Sequence, residues 1–324
     1  MTRRKTWIAL ALGGGATFVG GSYLAARALA GRLISAEGLG PTLLRREDLL
    51  EALGAAGATV RDYRHRGSAM DPVELAAIFA SSGAPVGRPT LLFLHGKGGN
   101  TAEWQPDALR ALSRGYNVLL PDLRAHAPSG GNFVTYGFLE KEDLANAVEA
   151  ARERFGVDPQ RLGLHACSAG CTTALEFAAG KSGVRAIWLE SPYADPLEMA
   201  RHYLSVATGL PPWMLALTTR WAVDRALSRI HRELGLPGRG GMDRVDPVRS
   251  LSQVGGRVCL VYGERDELVP PRFARRLEAC LPPGSAVWRA TGAGHCHHED
   301  EPEKVMREEY ERRWEDFFAA NLPA

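Results

Sequence analysis

The fold of this chain is decided by the stretch Arg161-Leu-Gly-Leu-His-Ala-Cys-Ser-Ala-Gly-Cys-Thr-Thr-Ala-Leu-Glu-Phe-Ala-Ala179. Its first residues, up to His165, have the apolar pattern of a short buried strand, and the segment from Thr172 to Ala179 is typical of a helix. A sharp reversal must lie between them, with Ser168 at the turn. Such a reversal strains the turn residue and leaves no room for side chains two positions before and after it, where the sequence has Ala166 and Gly170.

The cysteines on both sides of Ser168 are rival nucleophiles, because a thiol is intrinsically more reactive than a hydroxyl. With Cys167 at the turn, the large side chain of His165 would occupy the position that must be small. With Cys171 there, the turn would lie inside the helix. The spacing therefore favours Ser168 and the small-x-Ser-x-Gly pattern of a nucleophile elbow, although an ordinary buried strand and helix can have the same pattern.

The composition of the chain limits its size class and its partners. With 324 residues, 45% of them hydrophobic, the chain can form one large domain or two small ones with a sizeable core. Lys and Arg total 39 against 37 Asp and Glu, and no basic block follows the N-terminal residues. The charge balance argues against nucleic acid as a partner, and we expect a monomer.

The N-terminal residues combine a basic head with a long uncharged run. Arg3 to Lys5 precede a segment from Thr6 to Ala26 that, as a helix, is about long enough to cross a hydrocarbon layer of roughly 30 Å. By the positive-inside rule the head stays in the cytoplasm and the rest lies outside. We predict that residues 1–30 are a single-span anchor in the cytoplasmic membrane. The alternative is a signal sequence that is cleaved at Ala28-Leu-Ala30, which would export the protein.

Strand and helix patterns alternate through the main domain, residues 59–324. It follows a connecting segment, residues 31–58, whose amphipathic helix at 41–53 we expect to pack on the domain. Strands are predicted at 59–63, 73–80, 90–94, 116–120, 161–165, 184–189, 257–262 and 286–290. Because helices separate strands that read as buried on both faces, the pattern predicts a mainly parallel sheet flanked by helices. The excursion after the sixth strand, about 193–245, predicts a helical lid.

A glycine-rich turn, His95-Gly-Lys-Gly-Gly-Asn100, follows the third predicted strand. It lacks the residue order of a phosphate-binding loop. At the carboxyl end of a central strand, such a turn lets backbone N–H groups face the space above the sheet, where an oxyanion that forms during acyl transfer needs two donors. We predict that these donors are the N–H groups of Lys97 and of Ala169, which directly follows the serine.

Two further reactive groups follow the last two predicted strands. Asp266 lies in the turn after the seventh strand, and His295 comes after the eighth. The order Ser, Asp, His along the chain is the one that a catalytic triad has in this architecture. We predict that His295 takes the proton of Ser168 and that Asp266 fixes the tautomer of His295 and stabilises its charged form. Glu190, at the end of the sixth strand, is the alternative acid.

Several other side chains near the predicted site have two interpretations. The lid carries apolar residues that suit ordinary helix packing or an acyl pocket, and the pocket candidates are Trp213, Met214 and Leu217. The loop after the fourth strand carries three polar residues for which we expect bracing hydrogen bonds and ion pairs rather than a direct catalytic role: Asp122, Arg124 and His126.

Cysteines and histidines close to His295 raise the question of a metal or a disulfide. The residues 297–300 are His, His, Glu and Asp, but no pair of them has the spacing of a zinc site, so no metal is predicted. The five cysteines are an odd number and mostly occupy elements that are predicted to be buried. We interpret them as small core residues without a disulfide framework. The predicted triad needs no cofactor, and none is expected.

With these motifs in place, the chain resembles the α/β-hydrolases, in particular a single-span or exported branch that is similar to serine aminopeptidases and lipases. The resemblance extends over about residues 60–318 and is carried by these segments: His95-Gly-Lys-Gly-Gly, Asp122-Leu-Arg, Ser129-Gly-Gly, Tyr136-Gly with Glu140-Lys141, Ala166-Cys-Ser168-Ala-Gly170, Gly263-Glu-Arg-Asp266 with Val269-Pro270, and Gly294-His295. It departs from the family at Ala166, where glycine is usual, and at Arg124-Ala-His-Ala127, where Arg-Gly-His-Gly is usual. The resemblance implies the α/β-hydrolase fold and the hydrolysis of esters, amides or thioesters.

We therefore predict a serine hydrolase that forms an acyl-enzyme on Ser168 and cleaves an ester of a small-molecule or lipid-like acyl substrate, as carboxylesterases and lipases do. A peptidase of the aminopeptidase type, or an acyltransferase with the same triad, is the alternative. A membrane-tethered binding module without catalytic activity is the third hypothesis, and an intact triad argues against it.

Overall fold

In the part of the chain that the structure describes, eight strands form one sheet. The structure is a computed structural model that describes residues 30–36, 44–209, 212–235, 244–296 and 304–324. The strands are β1 Thr59–Arg66, β2 Glu74–Ser81, β3 Thr90–Leu94, β4 Asn117–Pro121, β5 Leu162–Cys167, β6 Val184–Glu190, β7 Arg257–Gly263 and β8 Ala286–Ala290. The helices are α1 Arg46–Ala55, α2 Gln105–Ser113, α3 Glu140–Phe155, α4 Ala169–Ala178, α5 Pro196–Thr208, α6 Pro212–Leu234, α7 Pro247–Ser252, α8 Pro271–Glu278 and α9 Lys304–Asn321.

The strand order is β1-β2-β4-β3-β5-β6-β7-β8. β1 pairs antiparallel with β2, and β2 pairs antiparallel with β4, whereas every pair from β4 to β8 is parallel. The predicted architecture, a mainly parallel sheet flanked by helices, is confirmed. Because parallel strands end at the same edge, the loops that follow β3, β5, β7 and β8 open on one side of the molecule, where ligands bind in such sheets.

The central strands are covered on both faces, as their continuous apolar sequences predict. In β3, Leu92 and Leu94 point into one core layer, and Leu91 and Phe93 point into the other. Helices α3, α4, α7 and α8 contribute to the first layer, and α1, α2 and α9 contribute to the second. Both faces of the central sheet are therefore buried, and the loops at its carboxyl edge are left to form the site.

The segments before β1 pack on the main domain. The amphipathic helix predicted at 41–53 is α1, and its Leu49 and Leu53 are buried in the second core layer, so the predicted packing on the domain is confirmed. Residues 30–34 are also helical. Leu33 and Ile34 pack in a cluster with α5 and α6, the helices that follow β6. The helices of the predicted lid are present, and their role as a lid stays a prediction.

The predicted membrane anchor and the localisation based on it are contradicted. None of the helices in the described residues is long and apolar enough to cross a membrane. The 23-residue helix α6 has sufficient length, but it carries charges such as Arg220, Asp224 and Arg225 along its course, and a span requires about 20 predominantly apolar residues. The predicted span itself, Thr6 to Ala26, lies outside the residues that the structure describes.

Candidate active site

Ser168 occupies the sharp turn between β5 and α4. Its φ of 50° and ψ of −116° place it in a region that residues other than glycine rarely adopt. Ala166 is fully buried. At Gly170, an added Cβ would lie 2.8 Å from the carbonyl oxygen of His95 and closer still to that of Leu94. The prediction that the position must be small is confirmed at Gly170, and at position 166 the buried residue is alanine.

The two residues predicted to supply oxyanion donors line the same cavity as Ser168. The cavity has a volume of about 310 Å³ and lies at the carboxyl edge of the sheet. Ala169 is the first residue of α4, so its N–H has no acceptor within the helix. The helix N-terminus also favours negative charge at this point. Lys97, in the glycine-rich turn after β3, lines the cavity as well, so both predicted donor residues share the cavity with the serine, and their role as donors stays a prediction.

His295 and Asp266 form a hydrogen-bonded pair beside this cavity. Nδ1 of His295 lies 2.8 Å from Oδ2 of Asp266, and Oδ1 of the same buried carboxylate accepts the backbone N–H of Val269 at 2.7 Å. Because an ionised carboxylate can only accept, Nδ1 carries the proton and Nε2 has a free lone pair. That Nε2 lies 3.5 Å from Sγ of Cys296. It makes no hydrogen bond to Ser168 in the described residues, although both residues line the cavity.

Ser191 is hydrogen-bonded to Asp266, and it was not singled out from the sequence. Its hydroxyl donates to Oδ2 of Asp266 at 2.7 Å and accepts the backbone N–H of Cys296 at 3.2 Å. The residue is buried and has a positive φ of 49°, so it turns the chain sharply at the end of β6. The one available signal was its position at the carboxyl end of a central strand, directly after Glu190.

The interpretation of the cysteines as core residues without a disulfide framework is wrong for Cys167 and Cys296. Cys167 and Cys296 are joined, with Cα atoms 6.1 Å apart and a sequence separation of 129 residues. Each is the direct chain neighbour of a predicted triad residue, and both line the cavity. Together with His295 they are the one group in the described residues whose ligand atoms are close enough for a metal ion. Two sulfurs joined in a disulfide are not thiolate ligands, and residues 297–300 lie outside the described residues.

Glu190, the alternative acid, belongs to a different pair. Its Oε1 lies 2.7 Å from Nε2 of His165 and accepts the indole N–H of Trp188 at 3.0 Å and the hydroxyl of Tyr310. Trp314 donates its indole N–H to Nδ1 of His165 at 3.1 Å, so the ring proton of His165 lies on Nε2 and is donated to Glu190. The pair is completely buried under the elbow. Glu190 therefore anchors α9 to the sheet, and in the described residues its carboxylate makes no hydrogen bond to His295.

The loop after β4 is braced, as the sequence predicts. The buried guanidinium of Arg124 forms ion pairs with Asp143 at 2.6 Å and with Asp71 at 2.7 Å. His126 reaches further, because its Nε2 accepts the backbone N–H of Gly98 at 3.1 Å. This bond joins the loop after β4 to the glycine-rich turn that contains Lys97. The expected bracing role of these residues is confirmed.

The cavity has a mostly apolar lining with ionisable groups near Ser168. Glu103, in the 3-10 helix Thr101–Trp104, was not singled out from the sequence, yet it lines the cavity. Its carboxylate lies against Gly99, where an added Cβ would be 2.6 Å from Oε1. Burial raises the pKa of this carboxyl to about 7. The apolar and aromatic part of the lining consists of Tyr136, Tyr193, Met199, Ala200, Tyr203, Leu268 and Val269.

The predicted acyl-pocket residues Trp213, Met214 and Leu217 belong to α6, but their side chains lie outside what the structure describes. Their role in substrate binding stays a prediction. On the insertion after β6, the described residues that line the cavity come from the start of the insertion and from α5, and they include Met199 and Tyr203. Lys97 also contacts this helix, with its Nζ 4.8 Å from the ring centre of Tyr203.

Comparison with known proteins places this geometry in a family context. Residues 91–308 match the sequence profile of the alpha/beta hydrolase family. The uncharacterised protein YqkD of Bacillus subtilis is 28% identical over 170 residues, which are 51% of this chain and 51% of YqkD. The chain thus spans about half the length of the curated relatives it matches.

Two solved structures have a similar fold. The esterase Pf2001 of Pyrococcus furiosus has a TM-score of 0.64 and 22% identity, over 89% of this chain and 98% of the esterase. A puromycin-hydrolysing peptidase of Mycobacterium tuberculosis has a TM-score of 0.60 and 20% identity, over 83% of this chain and 40% of the peptidase. At these identities the likeness shows the fold alone.

Proposed function

This chain belongs to the alpha/beta hydrolase family, and from that membership we propose that it is a serine hydrolase which cleaves an ester through an acyl-enzyme on Ser168. One observation carries the proposal. Ser168, at a strained turn, shares a cavity with His295, whose Nδ1 is hydrogen-bonded to the buried carboxylate of Asp266. This tautomer leaves Nε2 as the base on the side of the cavity.

In the proposed mechanism, Nε2 of His295 takes the proton of Ser168 as the serine oxygen attacks the carbonyl carbon of the substrate. The negative charge that develops on the carbonyl oxygen is stabilised by the N–H groups of Lys97 and Ala169. Asp266 stabilises the imidazolium, which then gives its proton to the leaving alcohol. Water repeats these steps on the acyl-enzyme and restores the free serine. The bond between Ser168 and His295 forms in the substrate complex, since such bonds are often long in the free enzyme.

The shape and lining of the cavity support a small acyl group. A volume of about 310 Å³ is at the lower end of small-molecule sites. Its lining is mainly apolar, which suits the hydrocarbon part of an ester. We therefore expect short acyl esters to be better substrates than long ones.

A peptidase that uses the same three residues is the second candidate. The observation that favours it is Glu103, whose carboxyl lines the cavity together with Ser168. An ionised carboxylate in that position would attract the N-terminal ammonium group of a peptide. The two candidates differ in the leaving group, an alcohol or an amine, and not in the acyl-enzyme.

Labelling with a fluorophosphonate, followed by mass spectrometry of the full-length protein, tests the nucleophile. We expect one adduct on the peptide that contains Ser168, its loss in Ser168→Ala, and its retention in Ser113→Ala, which changes an exposed serine at the end of α2. Ser168→Ala should also reduce ester turnover by roughly 1,000-fold or more. A folded wild-type protein that takes no label and hydrolyses no ester would favour the binding-module hypothesis.

Two substrate series separate the two candidates. We compare kcat/KM for p-nitrophenyl esters of increasing acyl length with kcat/KM for aminoacyl p-nitroanilides. Higher values for the esters support the esterase. Higher values for the anilides, with labelling of the same serine, support the peptidase.

A further inference from the structure

The two residues proposed to exchange a proton come from strands that are not neighbours. Ser168 follows β5 and His295 follows β8, and β6 and β7 lie between these strands. Adjacent strands are about 4.8 Å apart, so β5 and β8 are separated by roughly 14 Å. The loop after β8 must therefore extend across the ends of β7 and β6 to bring His295 to the cavity.

Besides the bond between His295 and Asp266, hydrogen bonds to two further segments hold the described part of this loop in its extended position. The carbonyl of Ala293 accepts the N–H of Arg265 at 2.9 Å, and the N–H of Cys296 donates to the hydroxyl of Ser191 at 3.2 Å. Cys296 also has a positive φ of 45°, which side-chain-bearing residues adopt at a cost in energy. In the described part of the chain, the disulfide to Cys167 is the one covalent link between this loop and the elbow.

The two cysteines of the disulfide are each adjacent in sequence to one of the two residues proposed to exchange a proton. Cys167 directly precedes Ser168, and Cys296 directly follows His295. The bond therefore sets the distance between the two backbone segments at the place of the proposed proton transfer. We propose that this disulfide is a positioning device that keeps His295 within reach of Ser168, so that catalysis depends on its redox state. The inference rests on the proposed function.

A small dithiol can reach the bond through the cavity, because both cysteines are buried from the outer surface yet line the cavity. The dithiol supplies two electrons and two protons. The sulfur–sulfur bond breaks, thiols form on Cys167 and Cys296, and the reagent leaves as its own disulfide. The His295 loop then keeps its hydrogen bonds and loses its covalent link to the elbow.

Reduction also changes the surroundings of the base. Nε2 of His295 lies 3.5 Å from Sγ of Cys296. In the reduced protein this sulfur is an ionisable thiol, and its thiolate would stabilise a positive charge on the neighbouring ring. A cross-link that only stabilised the fold would leave the pH dependence of turnover unchanged.

The experiment measures kcat, KM and the pH profile for a short p-nitrophenyl ester, with the full-length protein before and after treatment with dithiothreitol. We expect reduction to lower kcat by ~100-fold and to change KM by less than about twofold, since the cavity lining is retained. The ascending limb of kcat/KM should move to higher pH, and reoxidation should restore the original values. Circular dichroism monitors the fold throughout.

Two variants identify the thiols responsible. The double variant Cys167→Ser, Cys296→Ser should have the low kcat of the reduced protein and should not respond to dithiothreitol. Cys280→Ser, which removes an exposed free thiol away from the cavity, should behave like the wild type in both redox states. If the double variant does not fold, the comparison of reduced and oxidised wild type still tests whether the disulfide positions His295.

Failure of this inference and failure of the proposed function give different results. If the oxidised protein hydrolyses the ester and reduction leaves kcat and the pH profile unchanged, the positioning role is wrong and the hydrolase proposal stands. If the oxidised protein neither turns over ester nor labels Ser168, the proposed function fails. In that case the NMR resonance of the His295 ring is compared in both states, and an unchanged resonance overturns the positioning role as well.

Discussion

The ring Nε2 of His126 accepts a hydrogen bond of 3.1 Å from the backbone N–H of Gly98. The other ring nitrogen, Nδ1, donates to the carbonyl of Arg124 at 2.9 Å, so both partners select the same neutral tautomer. Gly98 directly follows Lys97, the proposed oxyanion donor. Through this hydrogen bond, His126 fixes the position of the glycine-rich turn, although its side chain is not among the residues that line the cavity.

Replacement of this acceptor should reduce catalysis more than substrate binding. In His126→Ala the partly buried N–H of Gly98 loses its hydrogen bond to the imidazole, at a cost of ~1–3 kcal/mol. If that cost appears in the transition state, kcat falls by roughly 10- to 100-fold and KM changes little. His126→Gln, which can place a carbonyl oxygen near the same N–H, should recover part of the activity. His231→Gln, a change of an exposed histidine on α6, is the matched control, and a kcat of His126→Ala within about twofold of it would contradict the prediction.

Two buried histidines should make the stability of the fold sensitive to acid. Burial lowers the pKa of His95 to about 4, and burial and the nearby His95 lower that of His126 to about 4 as well. An unfolded chain protonates histidine near pH 6.5. Between these values the unfolded chain binds protons that the folded protein does not, so acidification favours unfolding. The stability contribution of each histidine is complete above about pH 6.5 and falls by about 3 kcal/mol as the pH approaches 4.

Urea unfolding at pH 7 and at pH 4.5, for wild type and His126→Gln, measures this effect. Glu103 acts in the opposite direction, because its raised pKa of about 7 makes the folded protein bind a proton before the unfolded chain does. Because Glu103 is present in both proteins, its contribution cancels when the loss in free energy of unfolding of His126→Gln is subtracted from that of wild type. Between pH 7 and pH 4.5, the free energy of unfolding of wild type should fall by about 2 kcal/mol more than that of His126→Gln. An equal loss in both proteins would show that His126 is protonated in the folded state.

The parts of the site that sequence could predict depend on local sterics and chain order. Ala166 and Gly170 were predicted to be small because a strand-to-helix turn packs closely on its neighbours, and at Gly170 an added Cβ would lie 2.8 Å from the carbonyl oxygen of His95. Asp266 and His295 were singled out because they lie in the turns that follow β7 and β8. These relationships involve residues that are close in sequence or that follow strands ending at the same sheet edge. They can therefore be inferred from the order of residues along the chain.

The parts that sequence could not predict depend on how distant segments meet. Cys167 and Cys296 are 129 residues apart, and no periodicity relates them. Their pairing requires the loop after β8 to cross two strands, which only the assembled sheet determines. Glu103 and Ser191 were missed for the same reason, because one reaches the cavity from the 3-10 helix and the other contacts Asp266 across strand ends.

The hydroxyl of Ser191 should contribute to turnover through Asp266. Ser191→Gly removes the donor to Asp266 and the acceptor of the Cys296 N–H, and glycine accepts the positive φ at this position without strain. We expect kcat to fall by about tenfold, equivalent to ~1.4 kcal/mol, with KM nearly unchanged. Ser182→Gly, in an exposed loop, is the control.

Ser191→Ala separates the hydroxyl from the backbone. Alanine also lacks the hydroxyl, but it does not relieve the backbone strain at φ 49°. Similar kcat values for Ser191→Gly and Ser191→Ala attribute the loss to the hydroxyl. A normal kcat in Ser191→Gly with a low kcat in Ser191→Ala would attribute it to the backbone instead and would contradict the prediction.

Glu103 should make the cavity select between charged and neutral substrates as the pH changes. With its pKa raised to about 7 by burial, the carboxyl is mainly neutral at pH 6 and mainly ionised at pH 8. An ionised carboxylate attracts a cationic substrate group in the cavity, so KM for a cationic ester should fall by up to ~10-fold between these pH values. The same change should be absent for a neutral ester of equal size. Lys97 repels the cation at both pH values and therefore has little effect on the ratio.

The measurement is the ratio of KM for the cationic and neutral esters from pH 6 to pH 8. In Glu103→Gln the side chain keeps its size and cannot ionise, so the ratio should become independent of pH. Glu47→Gln changes an exposed glutamate on α1 and should retain the wild-type pH dependence. A ratio that varies with pH to the same extent in Glu103→Gln would assign the charge selection to another group in the cavity.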